Sequence, residues 1–333
     1  MEYVLPYIIL LVGFVLLVKG ADVFVDGSSG IARYFKIPSL IIGLTIVAFG
    51  TSAPEAAVSI TASITGQTGI AVGNITGSCI FNTLVVLGVC SMIHPITVER
   101  SIMNKDYLLM LVASVAFFAA SADVWLGGAS AGQVSRGDGI MLALLFCIFM
   151  YMTIRSGLQG KKEAETLENS QPVSAEALKK KEEKPPKLLK NIIMAVLGLA
   201  GVVVGGQMVV NGASDIAKSF GASETLIGVT VVAIGTSLPE LVTSIMAARK
   251  GEQDIAVGNV VGSNLFNILF IISSSSIISP LSLDMESLID IVIMIGVSVM
   301  VYFFAVTKQK INRVEGGIMT AMYIAYTAYA IIR

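Results

Sequence analysis

The sequence predicts an all-α membrane protein: ten transmembrane helices arranged as two five-helix repeats of inverted topology. Three observations carry this. The 333 residues are 55% hydrophobic and only 14% charged, whereas soluble domains carry roughly 25% charged residues. The apolar stretches are long enough to cross a bilayer, which takes about 20 residues as a helix. The segment 25–82 recurs without a gap at 210–267, with 29 of 58 positions identical.

Ten candidate spans follow from the apolar runs, near 3–22, 38–64, 69–93, 106–122, 138–155, 191–211, 224–248, 254–279, 287–306 and 314–332. The first opens on Met-Glu, with no basic residue before its apolar run, and reads as a retained helix rather than a cleaved leader. Half-apolar tails allow the first and sixth spans to run on toward Phe35 and Phe220. The second, third, seventh and eighth are rich in Gly, Ser, Thr and Asn, residues suited to packed or cavity-lining helices. Between the fifth and sixth lies 157–190, the one long polar segment, with mixed Lys and Glu and a Pro185-Pro186 pair. Its composition reads as a flexible tether. The chain thus divides into a first half (1–156), a linker (157–190) and a second half (191–333).

Charge sets the orientation. With both termini outside, the inner loops collect 18 Lys and Arg residues and the outer side 3 (Arg136, Lys218, Arg333), a strong positive-inside asymmetry. The linker is then cytoplasmic, in a multi-pass protein of the cell (plasma or inner) membrane. Lys19 falls inside the first span and is expected to snorkel or to pair with Asp22. Each half has five spans, an odd number, so the second copy crosses in the opposite direction. That is the inverted-repeat plan of secondary transporters.

The repeat carries the chemistry. GTSAPE at 50–55 returns as GTSLPE at 235–240, and GSCIFN ending at Asn82 returns as GSNLFN ending at Asn267. Glu55 and Glu240 are carboxylates at membrane depth, where charge is costly and marks ion pathways or ion pairs. Pro54 removes a backbone donor and clashes with the carbonyl four residues back, so the helix is expected to break there. The break is expected to free carbonyls near Ala48 and, in the second copy, Ala233. Freed carbonyls at that depth must be buried in protein or face a water-lined cavity. Thr51 and Ser52, and likewise Thr236 and Ser237, sit beside them. Ser78 and Asn82 are four apart and share a helix face, as do Ser263 and Asn267.

Every donor in this set is a hard oxygen, which selects Ca²⁺ or Na⁺ over zinc, copper or iron. Two carboxylates match one Ca²⁺ or two Na⁺, so the same oxygens could serve either ion in turn. Helix packing by Gly, Ser and Thr explains one such motif alone, but not two copies with intact glutamates. Asp26 and Asp290 have no matching acid in the other half and read as surface or capping groups. Cys79, Cys90 and Cys147 show no ligand spacing and read as small buried hydrophobes. His94, at a helix end before Pro95, reads as structural or interfacial.

These motifs resemble the sodium/calcium exchanger family, within the cation/calcium antiporter superfamily. The similarity covers nearly the whole chain, and the short linker resembles prokaryotic and archaeal members. The resemblance implies that Glu55 and Glu240 hold a central Ca²⁺ with Thr51 and Thr236. It implies that the carbonyls of Ala48 and Ala233, with Ser78 and Ser263, complete flanking Na⁺ sites. Ser52, Ser237, Asn82 and Asn267 would line the centre. It further implies electrogenic exchange of about three Na⁺ per Ca²⁺, by sliding of the first and sixth spans across the remaining bundle. Some archaeal and all potassium-dependent relatives have Asp where this chain has Asn267, which leans toward potassium independence.

The ions are transported substrates, and no cofactor is expected. A monomer suffices for transport, the lipid bilayer is the surrounding partner, and nothing points to nucleic acid. Rival readings are H⁺/Ca²⁺ exchange, potassium-dependent Na⁺/Ca²⁺ exchange, a cation channel and an intramembrane hydrolase. The last lacks any His or Cys constellation, so an enzyme is not expected.

Overall fold

A computed structural model describes residues 4–98, 100–123, 132–170, 187–220 and 233–332. The architecture is helical. We number the helices α1 (Leu5–Phe35), α2 (Ser39–Thr51), α3 (Ala53–Ile64), α4 (Thr68–Ile93), α5 (Met103–Ser121), α6 (Arg136–Ser170) and α7 (Leu188–Ser219). There follow α8 (Ala233–Thr236), α9 (Leu238–Arg249), α10 (Gln253–Ile278), α11 (Met285–Lys308) and α12 (Arg313–Ile332). Seven helices among the described residues are long and apolar enough to cross a bilayer, and the bent pair α2–α3 makes an eighth span. The chain is therefore a multi-pass membrane protein. The start of the expected seventh span, 221–232, and most of the expected linker, 171–186, lie outside the described residues.

The long tails of the first and sixth spans are present: α1 is 31 residues and α7 is 32. The linker begins later than composition suggests. Helix α6 continues through Ser170, so 157–170 prolongs the helix of the fifth span. Lys and Glu are good helix formers, and an established helix propagates at little cost.

Helices α1 and α7 pack face to face through glycines seven residues apart on each: Gly13, Gly20 and Gly27 on α1, and Gly198, Gly205 and Gly212 on α7. A Cβ at Gly198 would lie 2.4 Å from the backbone nitrogen of Phe24, and one at Gly205 would lie 2.5 Å from that of Leu17. Small residues at such a seam let two backbones touch. The pair leans on α9, where Leu238, Val242 and Met246 pack against Leu17, Ala21, Val202 and Val209. The main core lies elsewhere, built largely on α4 and α10, whose spanning windows are 83% and 94% buried.

The connections sort into two ends. At one end Arg33 meets Glu252 at 3.3 Å, and Gln253 accepts from the Thr97 N–H at 3.0 Å. There the strand β1 (Ile96–Thr97) also pairs with Lys310–Ile311. At the other end Thr68 accepts from the Ser282 N–H at 3.3 Å, Gly132–Val134 pairs with Leu281–Leu283, and Arg136 donates to the Ile277 carbonyl at 3.1 Å. These are the two groups of loops that alternate crossing predicts.

Single residues depart from expectation. Asp22 is not left to Lys19: its carboxylate pairs with Lys250 at 2.8 Å, and Asp26 pairs with the same ammonium at 2.6 Å. Asp290 is buried, six residues into α11, and the cap of that helix is Asp284, which accepts from the Ser287 N–H. Cys79 and Cys90 are buried, but Cys147 is exposed on α6. His94 is interfacial, its Nδ1 lying 2.8 Å from Gln253 Nε2.

Candidate ion-binding site

The two GTS-PE segments fold alike. Helix α2 ends and α3 begins at Ser52, where the backbone takes φ −82° and ψ 8°; α8 gives way to α9 at Ser237, with φ −94° and ψ 6°. In each copy proline sits in the first turn of the new helix, where its missing N–H costs nothing. The axes of α2 and α3 differ by 50°. The break thus falls one turn before each glutamate, and Glu55 and Glu240 lie in the first turns of α3 and α9. The helix N-terminus favours a negative charge there.

The two breaks face each other. Ser52 Oγ donates to Glu240 Oε1 at 2.9 Å, and Ser237 Oγ donates to Glu55 Oε1 at 3.0 Å. Each carboxylate is therefore held by the hydroxyl of the other copy. Ser78 Oγ adds a bond to Glu55 Oε1 at 3.3 Å and lies 3.0 Å from Ser237 Oγ. Both carboxylates are fully buried, and among the described residues the second oxygen of each, Oε2, has no hydrogen-bond partner. Asn82 Oδ1 and both polar atoms of Asn267 are likewise buried and unpartnered. Buried polar groups are almost always satisfied, so these orphaned atoms on the two breaks and on α4 and α10 make this the candidate cation site.

The expected donors do not all behave as the sequence suggests. The Ala48 carbonyl is not freed by the break: it accepts the Ser52 N–H at 3.0 Å. Ser52 lies before the proline, so its bond survives. The hydroxyls of Thr51 (3.3 Å) and Ser263 (3.4 Å) crowd the same carbonyl. In the second copy the Ser237 N–H turns instead to Ile234, three residues back, at 3.2 Å, so it bypasses Ala233. Thr236 is half-buried in α8.

Two features were not read from the sequence. First, an asparagine clamps each glutamate's backbone. Asn74 Nδ2 donates to the Glu55 carbonyl (3.3 Å) and Ser59 Oγ (2.9 Å); Asn259 Nδ2 donates to the Glu240 carbonyl (3.4 Å) and Ser244 Oγ (2.9 Å). The signal was available, since both asparagines close the repeated IAVGN run and both serines recur at the same offset. Second, wide π-helical turns begin at Asn82 and at Asn267. Such turns inside α-helices cluster at functional sites, but no sequence pattern marks them here.

Comparison with known proteins decides the family. The profile of the family described as sodium/calcium exchanger protein matches residues 5–155 and 190–332. The chain belongs to that family. It is therefore a transport protein and not an enzyme. It is 37% identical to the putative antiporter CaxA of Alkalimonas amylolytica over 325 residues, 96% of each chain. It is 34% identical to the sodium/calcium exchanger MaX1 of Methanosarcina acetivorans, covering 96% of this chain and 97% of that one. The fold matches the solved structure of the sodium-calcium exchanger NCX_Mj soaked with zero Na⁺ and Ca²⁺. That match has a TM-score of 0.82 at 33% identity, over 98% of this chain and 99% of the other.

Proposed function

We propose that this family member exchanges Na⁺ for Ca²⁺ across the cell membrane by alternating access. The observation that carries the reading is the crosswise pair of bonds, Ser52 to Glu240 and Ser237 to Glu55. They make one site from two copies, with an orphaned carboxylate oxygen from each. Two carboxylates with hydroxyl and amide oxygens suit a hard cation, and one Ca²⁺ or two Na⁺ balance their charge.

The ligands are Glu55 and Glu240 for Ca²⁺, with Thr51 and Thr236. Ser52, Ser237, Asn82 and Asn267 line the centre. Ser78, Ser263 and the carbonyl of Ala233 serve the flanking Na⁺, and the Ala48 carbonyl joins them only where the Thr51 and Ser263 hydroxyls turn away from it. Thr51 is suited to sense occupancy, because its hydroxyl is shared between the Val47 carbonyl (3.1 Å) and Asn259 Oδ1 (3.1 Å). The exchange ratio is about three Na⁺ per Ca²⁺, hence electrogenic. Asn267 in place of a third acid favours independence from K⁺.

The two loop groups described above support ten spans in two inverted halves, 1–156 and 191–333. Both termini then lie outside, and the polar end of α6 (157–170) and the linker after it lie in the cytoplasm. In that frame α3 lies in the outer half of the membrane and α9 in the inner half. The glycine-seamed pair α1–α7 covers α9, while Ala53 and Gly73 are exposed. This arrangement corresponds to an outward-open state, and sliding of the pair toward α3 would close it.

The test is Ca²⁺ uptake into proteoliposomes loaded with Na⁺. Uptake should follow the outward Na⁺ gradient and respond to membrane voltage. Uptake that ignores Na⁺ and follows a pH gradient contradicts the reading.

A further inference from the structure

Positions 79 and 264 match across the repeat, 185 residues apart, but hold different residues: Cys79 in the first copy and Asn264 in the second. The central asparagines are consequently held differently. Asn82 Nδ2 donates to Asn264 Oδ1 at 3.2 Å. Asn264 is 2% exposed, and its own Nδ2 faces three acceptors: Thr83 Oγ1 at 3.0 Å, the Cys79 carbonyl at 3.5 Å and Met110 Sδ at 3.6 Å. A carbonyl and a thioether can only accept, so the amide of Asn264 cannot be turned around. Its oxygen must point at Asn82. Asn82 must then answer with its NH₂, which leaves Asn82 Oδ1 as the end aimed away. That oxygen is the buried, unpartnered one.

Asn267 has no such holder. Its neighbour Cys79 offers only a thiol, a weak partner, and among the described residues neither polar atom of the Asn267 amide meets any stronger one. A cation accepts an amide oxygen as ligand and is repelled by an amide NH₂. An asparagine in the site helps only when the correct end faces the ion.

We propose that Asn264 is a positioning residue for cation binding: with Thr83, it locks the Asn82 amide so that Oδ1 is presented to the ion, while Asn267 is left to adjust on its own. The inference rests on the Na⁺/Ca²⁺ reading above. It concerns a residue that touches no ion itself, and it assigns the asymmetry of the centre to a single difference between the copies.

The experiment is a double-mutant cycle on Na⁺-driven Ca²⁺ uptake in proteoliposomes. It compares the unmodified protein, Asn264→Leu, Thr83→Val, Asn82→Ala and Asn82→Ala/Asn264→Leu. The half-saturating Ca²⁺ concentration and the maximal rate are read separately. Losing one buried orienting bond corresponds to about a tenfold rise in half-saturating Ca²⁺ for Asn264→Leu. About a two- to threefold rise is expected for Thr83→Val, which keeps the side-chain shape. In the Asn82→Ala background, Asn264→Leu should add nothing, because the residue it orients is gone. A purely structural role would carry its cost into that background undiminished, and that result overturns the inference. If Asn264→Leu does not insert or melts early, Thr83→Val decides: an unchanged half-saturation contradicts the proposal. No Na⁺-driven uptake by the unmodified protein overturns both this inference and the function it rests on. Uptake with additive effects overturns the inference alone.

Discussion

The two copies of the repeat share half their residues and the same backbone break, yet they are packed differently. In the second copy, Gly258 and Gly262 are buried against α2. A Cβ at Gly262 would meet the Leu44 carbonyl at 2.6 Å, and one at Gly258 would meet the Leu40 carbonyl at 2.8 Å. Their counterparts Gly73 and Gly77 have nothing among the described residues within 4 Å of such a Cβ, and Gly73 is exposed. The same contrast holds after the break, where Leu238 packs under α1–α7 while Ala53 is exposed. Equal sequences held in unequal surroundings are what the proposed alternating access would require.

The largest expected effect breaks the symmetry at the carboxylates. Glu55→Ala and Glu240→Ala should each reduce Na⁺-driven Ca²⁺ uptake to background. Two independent sites would instead leave about half the transport in each variant. The next prediction sharpens the packing contrast. Gly262→Ala should destabilise the protein, by about 1–3 kcal/mol as overpacking does, measured as a lowered melting temperature in detergent. Gly77→Ala should shift the melting temperature less, because no described residue lies within 4 Å of the Cβ it would add. Equal shifts in the two glycine variants would remove this packing contrast.

A smaller difference is expected at the clamps. Asn259 is fully buried, and its Oδ1 also accepts from Thr51 (3.1 Å) and Ser263 (3.5 Å), while Asn74 is half-buried. Asn259→Ala should therefore cost about tenfold in Ca²⁺ half-saturation and Asn74→Ala only about two- to threefold, both read from uptake curves. The smallest effect concerns Lys250, which ties Asp22 and Asp26 of α1 to the end of α9. Its counterpart Thr65 bonds only within its own helix, to the carbonyls of Thr61 and Ala62. Surface ion pairs are worth about 0–1 kcal/mol. Lys250→Met should change the uptake rate by no more than about fivefold, and the change should shrink as salt is raised.

Much of this was legible in the chain because the information is local. Apolar length gives the spans, proline gives the break, and the recurrence of GTS-PE and GSxxFN gives the paired donors. The turn glycines are equally local: Gly66 and Gly251 both adopt φ +78°, which a residue with a Cβ resists, and both copies keep glycine. What the sequence hid depends on which groups meet across the fold. The crosswise serine–glutamate bonds need the two breaks face to face, and no spacing within one copy encodes that. Lys19, near in sequence, is expected to snorkel or to pair with Asp22, but the group that meets that carboxylate across the fold is Lys250. The survival of the Ala48 carbonyl bond is a register effect: the break falls at Ser52, after that bond has closed. The role of Asn264 was invisible because the motif that draws attention to Asn267 treats the position three residues earlier as variable.

The central claim is that two half-sites make one. Equilibrium binding of radioactive Ca²⁺ to the purified protein, with Na⁺ as competitor, tests it directly. The account predicts one Ca²⁺ per chain, displaced by Na⁺, and no measurable binding once either Glu55 or Glu240 is replaced by alanine. Two Ca²⁺ per chain, or binding that persists in one of the single variants, would contradict it.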